Sequence, residues 1–229
     1  MEGKVQMDIS PLLISFKVAF TATMITVCLG IPMAWFVAKL KRGKGFIDGV
    51  LTMPMVLPPT IVGFFLLLLI GKNGLLGKLL LQFDIVLTFT WIAAVLASTI
   101  VSFPLMYRTA RGAFESIDQN LIYVGQTLGM SNFEIFSKIV LPNTISGMTA
   151  GIILTFARAL GEFGATIMVA GNIPGRTQTM SVAVYSAVQG GHREKAYAWV
   201  TVIMVISFGT MIAMNWLSSH RNHKEGEMI

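Results

Sequence analysis

Two side chains of opposite charge, Arg158 and Glu162, stand four residues apart in an otherwise apolar stretch. On a helix this spacing places both on one face, one turn from each other. A charge at mid-depth of a membrane costs at least about 2.5 kcal/mol and by default marks a functional pathway. Because a guanidinium is a natural partner for an oxyanion, Arg158 is a candidate for the path of an anionic substrate. The alternative is a structural ion pair that pins helices together, which is the interpretation we favour for Glu162.

Glycines and prolines near these charges predict close packing and an irregular backbone. Gly161 and Gly164 thin their helix and permit a neighbouring helix to approach. In an earlier apolar stretch Pro58 and Pro59 each remove a backbone donor, so that helix must be kinked or begin irregularly near Pro54. Lipid tolerates such a break where protein or a water-filled cavity satisfies the freed carbonyls. The prolines therefore mark either a pore-facing helix or a bend that serves packing.

The longest connection between apolar stretches, residues 108–142, carries signals for two short helices. Asp118 can N-cap the first helix, and Gly129 suits the left-handed conformation that would end it. Ser131 and Glu134 have the spacing of a capping box, which begins the second helix. The connection is therefore a structured loop rather than a random linker.

The second loop helix carries Phe133, Phe136 and Ile139 as an apolar stripe about two turns long. Leu141 and Pro142 are predicted to stop this helix and to start the next apolar stretch. Two short helices hinged at a glycine form a rigid platform that could receive a partner. An amphipathic connector lying at the membrane interface explains the pattern equally well.

Membrane spans are the elements that must position these residues. The chain is 54% hydrophobic and 12% charged, whereas a soluble domain carries about a quarter charged residues. This composition excludes an ordinary soluble domain and a disordered chain. Crossing roughly 30 Å of hydrocarbon takes about 20 apolar residues. Stretches of this length occur at 12–38, 50–70, 85–107, 145–170 and 196–217.

The predicted fold class is an all-α membrane protein, a polytopic bundle of five transmembrane helices. Residues 1–229 form a single domain, with its core at about 12–217. The weaker apolar stretch 180–191 is too short to span, and we expect an outer re-entrant or interfacial helix there.

Basic residues beside the spans predict their orientation. Lys39, Lys41, Arg42 and Lys44 directly follow the first span. If this cluster is cytoplasmic, its side of the membrane holds nine Lys and Arg residues and the other side holds six. We therefore expect the N-terminus outside, the C-terminus in the cytoplasm, and the loop 108–142 on the cytoplasmic side.

The loop resembles that of the permease subunits of binding-protein-dependent ABC importers. Gly129, nine further residues and then Ile139, Leu141 and Pro142 match the G-x9-I-x-L-P half of the family's loop motif. Where the family usually has Glu-Ala-Ala, this chain reads Tyr123-Val-Gly. The resemblance implies a type I ABC importer transmembrane fold, in which roughly residues 116–136 supply the coupling helix that sits in a groove of the ATPase subunit. The coupling residues it implies are Asp118, Tyr123, Gly129, Ser131, Glu134, Ile139, Leu141 and Pro142.

Three further segments resemble the molybdate branch of that family. They begin at Pro54 (Pro-Met-Val-Leu-Pro-Pro-Thr-Ile-Val-Gly), at Phe156 (Phe-Ala-Arg-Ala-Leu-Gly-Glu-Phe-Gly-Ala-Thr) and at Gly171 (Gly-Asn-Ile-Pro-Gly-Arg-Thr-Gln-Thr). The sulfate and thiosulfate permeases share segments like the one at Phe156 but are less similar through 172–179. The resemblance covers about 12–217. The translocation-path residues on these segments are Arg158, Glu162, Gly161, Gly164, Pro58 and Pro59.

The resemblance implies an ATP-driven importer that moves molybdate, or tungstate, across the cytoplasmic membrane by alternating access. The implied partners are a second copy of this chain, two cytoplasmic ATPase subunits and an extracytoplasmic molybdate-binding protein, with lipid around the bundle and no nucleic acid. No Walker-type glycine loop occurs in the sequence. We therefore expect ATP and Mg to be bound by the partner ATPase, and this chain to bind no cofactor and to catalyse no reaction.

Two alternatives stay open at this point. One is a sulfate or thiosulfate permease of the same fold. The other is an intramembrane enzyme with Glu162 or His192 as acid or base. The enzyme is disfavoured because no nucleophile and base pair occurs on facing spans, and one cysteine and three histidines leave few metal ligands. We expect no metal site and no catalytic residues.

Overall fold

The computed structural model describes residues 8–40 and 42–226, with side chains to residue 213, and these residues form helices, turns and loops but no strand. Lys41 of the predicted basic cluster lies outside the described residues. The helices in chain order are α1 (Ser10–Lys39), α2 (Lys44–Val56), α3 (Pro59–Ile70), α4 (Leu75–Leu81), α5 (Trp91–Glu115), α6 (Gln119–Thr127), α7 (Asn132–Ile135), a π-helical turn (Phe136–Val140), α8 (Leu141–Leu160), α9 (Gly164–Ala170), α10 (Met180–Gln189) and α11 (Arg193–Gly226).

Within the described residues, four helical segments are long and apolar enough to cross a membrane: Ser10–Lys39, Trp91–Glu115, Asn132–Leu160 and Arg193–Ala213. The remaining long apolar segment is the pair α2 and α3, which is bent by 107° at a short break. The predicted all-α bundle is confirmed, with four continuous spans and a bent pair in the place of the second span.

The second predicted span, 50–70, is not one helix. Pro54 lies inside α2, and the break falls at Leu57 and Pro58 instead. Leu57 has ψ 138°, the extended conformation that a following proline imposes, and Pro58 has no N–H with which to continue α2. Because α3 has only 12 residues, it is about 18 Å long at 1.5 Å per residue, shorter than the roughly 30 Å hydrocarbon core.

The third span begins and ends later than the predicted 85–107. Phe89 has φ 60°, which a right-handed helix does not allow, and the Thr90 side chain then N-caps α5. At the other end α5 continues to Glu115, whose carboxylate accepts a 2.8 Å hydrogen bond from Arg111 Nε one turn earlier. Residues 108–115 of the predicted loop 108–142 therefore form the last turns of α5.

The fourth predicted span, 145–170, starts earlier than expected. One helical segment runs from Asn132 through the π-helical turn into α8, so the prediction that Leu141 and Pro142 stop the loop helix was wrong. Pro142 lacks an N–H, and its ring displaces the carbonyl one turn back. The wider i→i+5 turn that precedes it accommodates this change. One position later, the side-chain amide of Asn143 donates a 2.7 Å hydrogen bond to the carbonyl of Ile139.

The last two predicted elements are present. α10 forms where a short helix was predicted over 180–191, and α11 contains the predicted span 196–217. α10 packs against α11 and against α1. The short helix thus joins the bundle instead of standing apart from it.

Small side chains let the spans pack closely in two buried clusters. The first cluster joins α1, α3, α5 and α9 largely through alanine and valine, and includes Ala159 and Leu160 next to Arg158. The second joins the last turns of α1 and α5 to the loop, and includes Ile135 and Val140. In lipid such close packing, rather than the exclusion of water, drives helix association. The first cluster therefore positions the Arg158 and Glu162 pair, and the second positions the loop between α5 and α8.

Candidate coupling surface and translocation path

The loop between α5 and α8 has the predicted helix ends. Asp118 Oδ1 accepts a 2.9 Å hydrogen bond from Asn120 N and N-caps α6, and Gly129 follows α6 with φ 75°. Ser131 Oγ accepts from Glu134 N at 3.3 Å, while Glu134 Oε2 accepts from Ser131 N at 3.0 Å. This is a complete capping box. The predicted caps are confirmed, and the loop has a defined conformation.

α6 packs onto the segment that follows it at Gly125. A Cβ atom at Gly125 would lie 2.9 Å from Ile139 Cδ1 and 3.2 Å from Ile135 Cγ1, so the absence of a side chain permits this approach. Ile139, which belongs to the G-x9-I-x-L-P motif, thus packs against α6 at Gly125. Leu141 of the same motif lies at the protein surface. The two loop segments form one packed unit.

Three aromatic rings join this unit to the ends of α1 and α5. The ring centroid of Trp35 lies 5.1 Å from that of Phe114 and 5.1 Å from that of Phe136. Tilted aromatic pairs at such distances contribute about 0.5 to 1.5 kcal/mol each beyond their burial. Lys39 Nζ lies 3.9 Å from the Trp35 ring, close enough for a cation–π contact. The loop is therefore coupled mechanically to α1 and α5.

Four apolar side chains of the loop are more than half exposed: Tyr123, Val124, Leu128 and Phe133. We call them the coupling surface. Phe133 was predicted to lie on an apolar stripe of the second loop helix; it is 78% exposed, whereas Ile135 packs inward. Positions two apart on a helix differ by about 200°, so Phe133 and Ile135 cannot both face the bundle. Val124 and Leu128 were not predicted, although apolar residues in a loop are a usable signal of a protein contact.

Arg158 and Glu162 do not share one helix, contrary to the prediction. Gly161 ends α8 rather than thinning one face of it, and α9 begins only at Gly164. The ion pair forms across this break, with Arg158 Nη1 2.7 Å from Glu162 Oε2. The other carboxylate oxygen, Oε1, accepts a 2.8 Å hydrogen bond from Ala165 N. Glu162 therefore binds Arg158 and also caps the start of α9.

The two partners differ in their access to the surroundings. The Glu162 side chain is 1% exposed, whereas that of Arg158 is 33% exposed. A buried carboxylate requires pairing, and Glu162 obtains it from Arg158. A guanidinium carries five N–H donors, so a single contact with Glu162 leaves Arg158 able to bind a second anion. Arg158 therefore presents a positive charge to its surroundings, while the carboxylate of Glu162 that pairs with it is buried.

α9 packs against α3 with almost direct backbone contact. A Cβ atom at Gly164 would lie 3.1 Å from Pro59 Cβ, and a Cβ atom at Gly63 would lie 2.8 Å from Ala165 Cα. The close approach predicted for Gly164 is therefore present. Pro58 and Pro59 start α3 at its break, so the proline break, Gly164 and the cap made by Glu162 lie together. The loop residues belong to the other buried cluster and are not part of this group.

Sequence reasoning missed a cluster of four charges where α2 meets α5. Arg111 pairs with Asp48 and with Glu115, and Glu115 also pairs with Lys44. The spacing of Arg111 and Glu115 is readable as an i,i+4 pair. Asp48 and Arg111 are 63 positions apart, and no local pattern indicates that they meet.

The residues of the enzyme alternative do not form a reactive centre. Across the described part of the chain, no three or more His, Cys, Asp or Glu side chains are grouped to hold a metal. His192 is exposed just before α11, and both oxygens of Glu162 are engaged. The geometry is that of a scaffold with a paired charge, not that of an acid–base pair.

Comparison with known proteins gives a consistent result. Residues 26–222 match the family described as binding-protein-dependent transport system inner membrane component. The chain is 40% identical over 224 residues to the molybdenum transport system permease protein ModB of Haemophilus influenzae, covering 96% of this chain and 98% of the relative. It is 33% identical over 207 residues to the sulfate transport system permease protein CysT of Salmonella typhimurium, covering 90% and 75% respectively. In fold it is similar to an inward-facing structure of the MetNI methionine ABC transporter, with a TM-score of 0.72 at 13% identity over 92% of this chain and 94% of that chain.

Proposed function

The chain belongs to the family of binding-protein-dependent transport system inner membrane components, and on this premise we propose that it is the permease subunit of a molybdate importer. The observation that supports molybdate as the substrate is the 40% identity to a molybdenum permease over nearly the full length of both chains. Identity to the sulfate permease is lower, at 33%, and covers 75% of that relative. As a permease subunit the chain works with a separate ATPase and a substrate-binding protein, and it catalyses no reaction of its own.

In the proposed mechanism, each site has a different task. The coupling surface sits on the ATPase subunit, so that closure of the ATPase dimer on ATP and Mg moves the loop. Because the loop is packed on α1 and α5, the spans move with it and the bundle alternates between outward-open and inward-open forms. Arg158 offers positive charge to the passing oxyanion, and Glu162 holds Arg158 in place.

We further propose a homodimer whose binding protein delivers molybdate, since one chain with four long spans and a bent pair forms only part of a pathway. Residues 1–229 act as one transmembrane domain. Lys39, Lys44 and Arg111 all lie at the loop end of the bundle, as their contacts with Trp35 and Glu115 require. This concentration of basic residues supports a cytoplasmic loop, an N-terminus outside and a cytoplasmic C-terminus.

The substrate is tested by competition in cells that lack their own molybdate and sulfate importers. With this chain, its ATPase and its binding protein expressed together, we expect uptake of labelled molybdate that excess tungstate inhibits and excess sulfate does not. A complex whose ATPase lacks its Walker lysine is the control and should import nothing. Dominant sulfate uptake would instead identify a sulfate permease.

The coupling surface is tested by Leu128→Glu. Leu128 is 75% exposed, so the fold should tolerate glutamate, whereas a carboxylate at an apolar contact is costly. Loss of a central interface residue typically weakens binding by about 2 kcal/mol or more, which is about 30-fold. We expect the ATPase to co-purify at least about 30-fold less efficiently with an unchanged amount of permease. Gln126→Glu, which adds the same charge at an exposed position of α6 outside the coupling surface, is the matched control; equal co-purification of both variants would contradict the assignment.

A further inference from the structure

α2 is attached to the bundle by a cluster of charges and by two apolar side chains. None of its residues is fully buried, and the partly buried Ile47 and Leu51 pack against the second cluster. Lys44 and Asp48, one turn apart on α2, reach across to Glu115 and Arg111 on α5. These side chains are 19 to 38% exposed, so solvent and salt screen them less than a fully exposed pair. This four-charge cluster therefore contributes to holding α2 against α5.

The α5 side of the cluster adjoins the coupling loop. Arg111 and Glu115 occupy the last turns of α5, and Ser116 is its C-cap residue. α6 begins at Gln119 after the Asp118 cap, so a short stretch of chain separates the cluster from the coupling surface. A displacement of the loop that moves the end of α5 must move these two charges.

The far end of α2 leads to the translocation path. Beyond the Leu57 and Pro58 break the chain enters α3, which packs on α9 through Gly63 and Ala165. Ala165 N donates to Glu162, the partner of Arg158. A continuous series of packed elements thus runs from the loop to the charged pair, which is a route that mechanical coupling can take.

We propose that Lys44, Asp48, Arg111 and Glu115 are positioning residues that link the movement of the coupling loop to α3 and the path beside Arg158. This inference rests on the proposed transport function. The four charges sum to zero, so the cluster holds α2 without attracting the substrate anion. Its role is to keep the turnover of ATP coupled to the opening of the path.

The link is tested in the complete complex reconstituted in proteoliposomes, by measuring ATP hydrolysed per anion imported. Asp48→Asn removes the charge that binds Arg111. We expect binding-protein-stimulated ATP hydrolysis to stay within about twofold of the wild type and anion uptake to fall about tenfold, so that the ratio of ATP hydrolysed to anion imported rises about tenfold. Asp48→Glu keeps the carboxylate and should restore most of the uptake. Lys78→Gln, on an exposed lysine of α4, is the control and should leave the ratio unchanged.

A covalent crosslink in place of the ion pair tests whether the connection between α2 and α5, rather than the charges themselves, couples ATP hydrolysis to uptake. Asp48→Cys and Arg111→Cys in a Cys28→Ser background should be uncoupled before, and recoupled after, treatment with a short thiol–thiol crosslinker. A parallel loss of ATP hydrolysis and uptake in Asp48→Asn, or no change in either, would overturn the proposal. If the wild-type complex imports sulfate but not molybdate, the proposed substrate fails, while the ratio is still measured with sulfate.

Discussion

Replacing Arg158 with glutamine should reduce molybdate uptake about a hundredfold while the complex still assembles. The one-third-exposed guanidinium loses its positive charge and its paired donors, and each hydrogen bond from a charged group to the substrate is worth about 1.5 to 3 kcal/mol. Two such bonds account for about 3 kcal/mol, which is about a hundredfold. Glutamine keeps an amide donor for Glu162 but leaves its buried carboxylate without a counter-charge, which costs stability, so the variant should assemble in a smaller amount. Uptake of labelled molybdate, normalised to the amount of assembled complex, is the measurement.

Arg158→Lys separates charge from geometry in this experiment. An ammonium keeps the positive charge but lacks the planar fork that binds two oxygens of an anion at once. We expect uptake by this variant to lie between that of glutamine and that of the wild type. If Arg158→Gln imports molybdate at the wild-type rate, Arg158 is a structural ion-pair residue and the path lies elsewhere.

The predictions that succeeded depend on interactions within a few residues. Asp118 bonds to the amide two positions later, and Ser131 and Glu134 bond to each other across three. Side-chain chemistry and spacing alone decide such caps. For the same reason the Arg158 and Glu162 pair was predicted correctly although the helix that was expected to carry it is broken.

The predictions that failed concern where helices end. Apolar composition shows which segments prefer lipid, but it does not show where a helix ends, because polar segments also continue helices and apolar segments also lie outside them. Residues 85–90 are largely apolar and precede α5, while Arg111 and Glu115 are charged and continue it. Pro142 lies within a helical segment because a π turn compensates for it, and nothing in the local sequence indicates that turn. The coupling role of the loop was implied by family resemblance, since physical reasoning explained an interfacial connector equally well.

The contact between Asp48 and Arg111 shows a second limit of sequence reasoning. It depends on the 107° bend at the end of α2 and on the late end of α5. The sequence predicted a kink in this segment but not its size, and it did not predict the late end of α5, so the contact could not be expected. Long-range pairs of this kind emerge only after the helix boundaries are known.

Replacing Glu162 with alanine should have the largest effect on the stability of the fold. Removal of a helix cap costs about 1 kcal/mol, and here the amide of Ala165 loses its acceptor. Removing one member of a buried ion pair costs about 3 to 5 kcal/mol, and the lower end applies because Arg158 is partly exposed. We expect the free energy of unfolding, measured by denaturant titration of the permease in detergent, to fall by about 3 to 4 kcal/mol.

Glu162→Gln and a double variant test this explanation. In glutamine one of the two carboxylate oxygens is replaced by an NH2 group, which cannot accept from Ala165 N or from Arg158, and an intermediate loss is expected. The double variant Arg158→Gln with Glu162→Gln leaves no unpaired charge and should be less destabilised than the sum of the single changes, since contacting residues are not additive. If Glu162→Ala costs less than about 0.5 kcal/mol, the range of ordinary surface changes, the buried carboxylate does not hold the break between α8 and α9. Arg158 would then be positioned by its own helix alone, and its role in the path would not depend on Glu162.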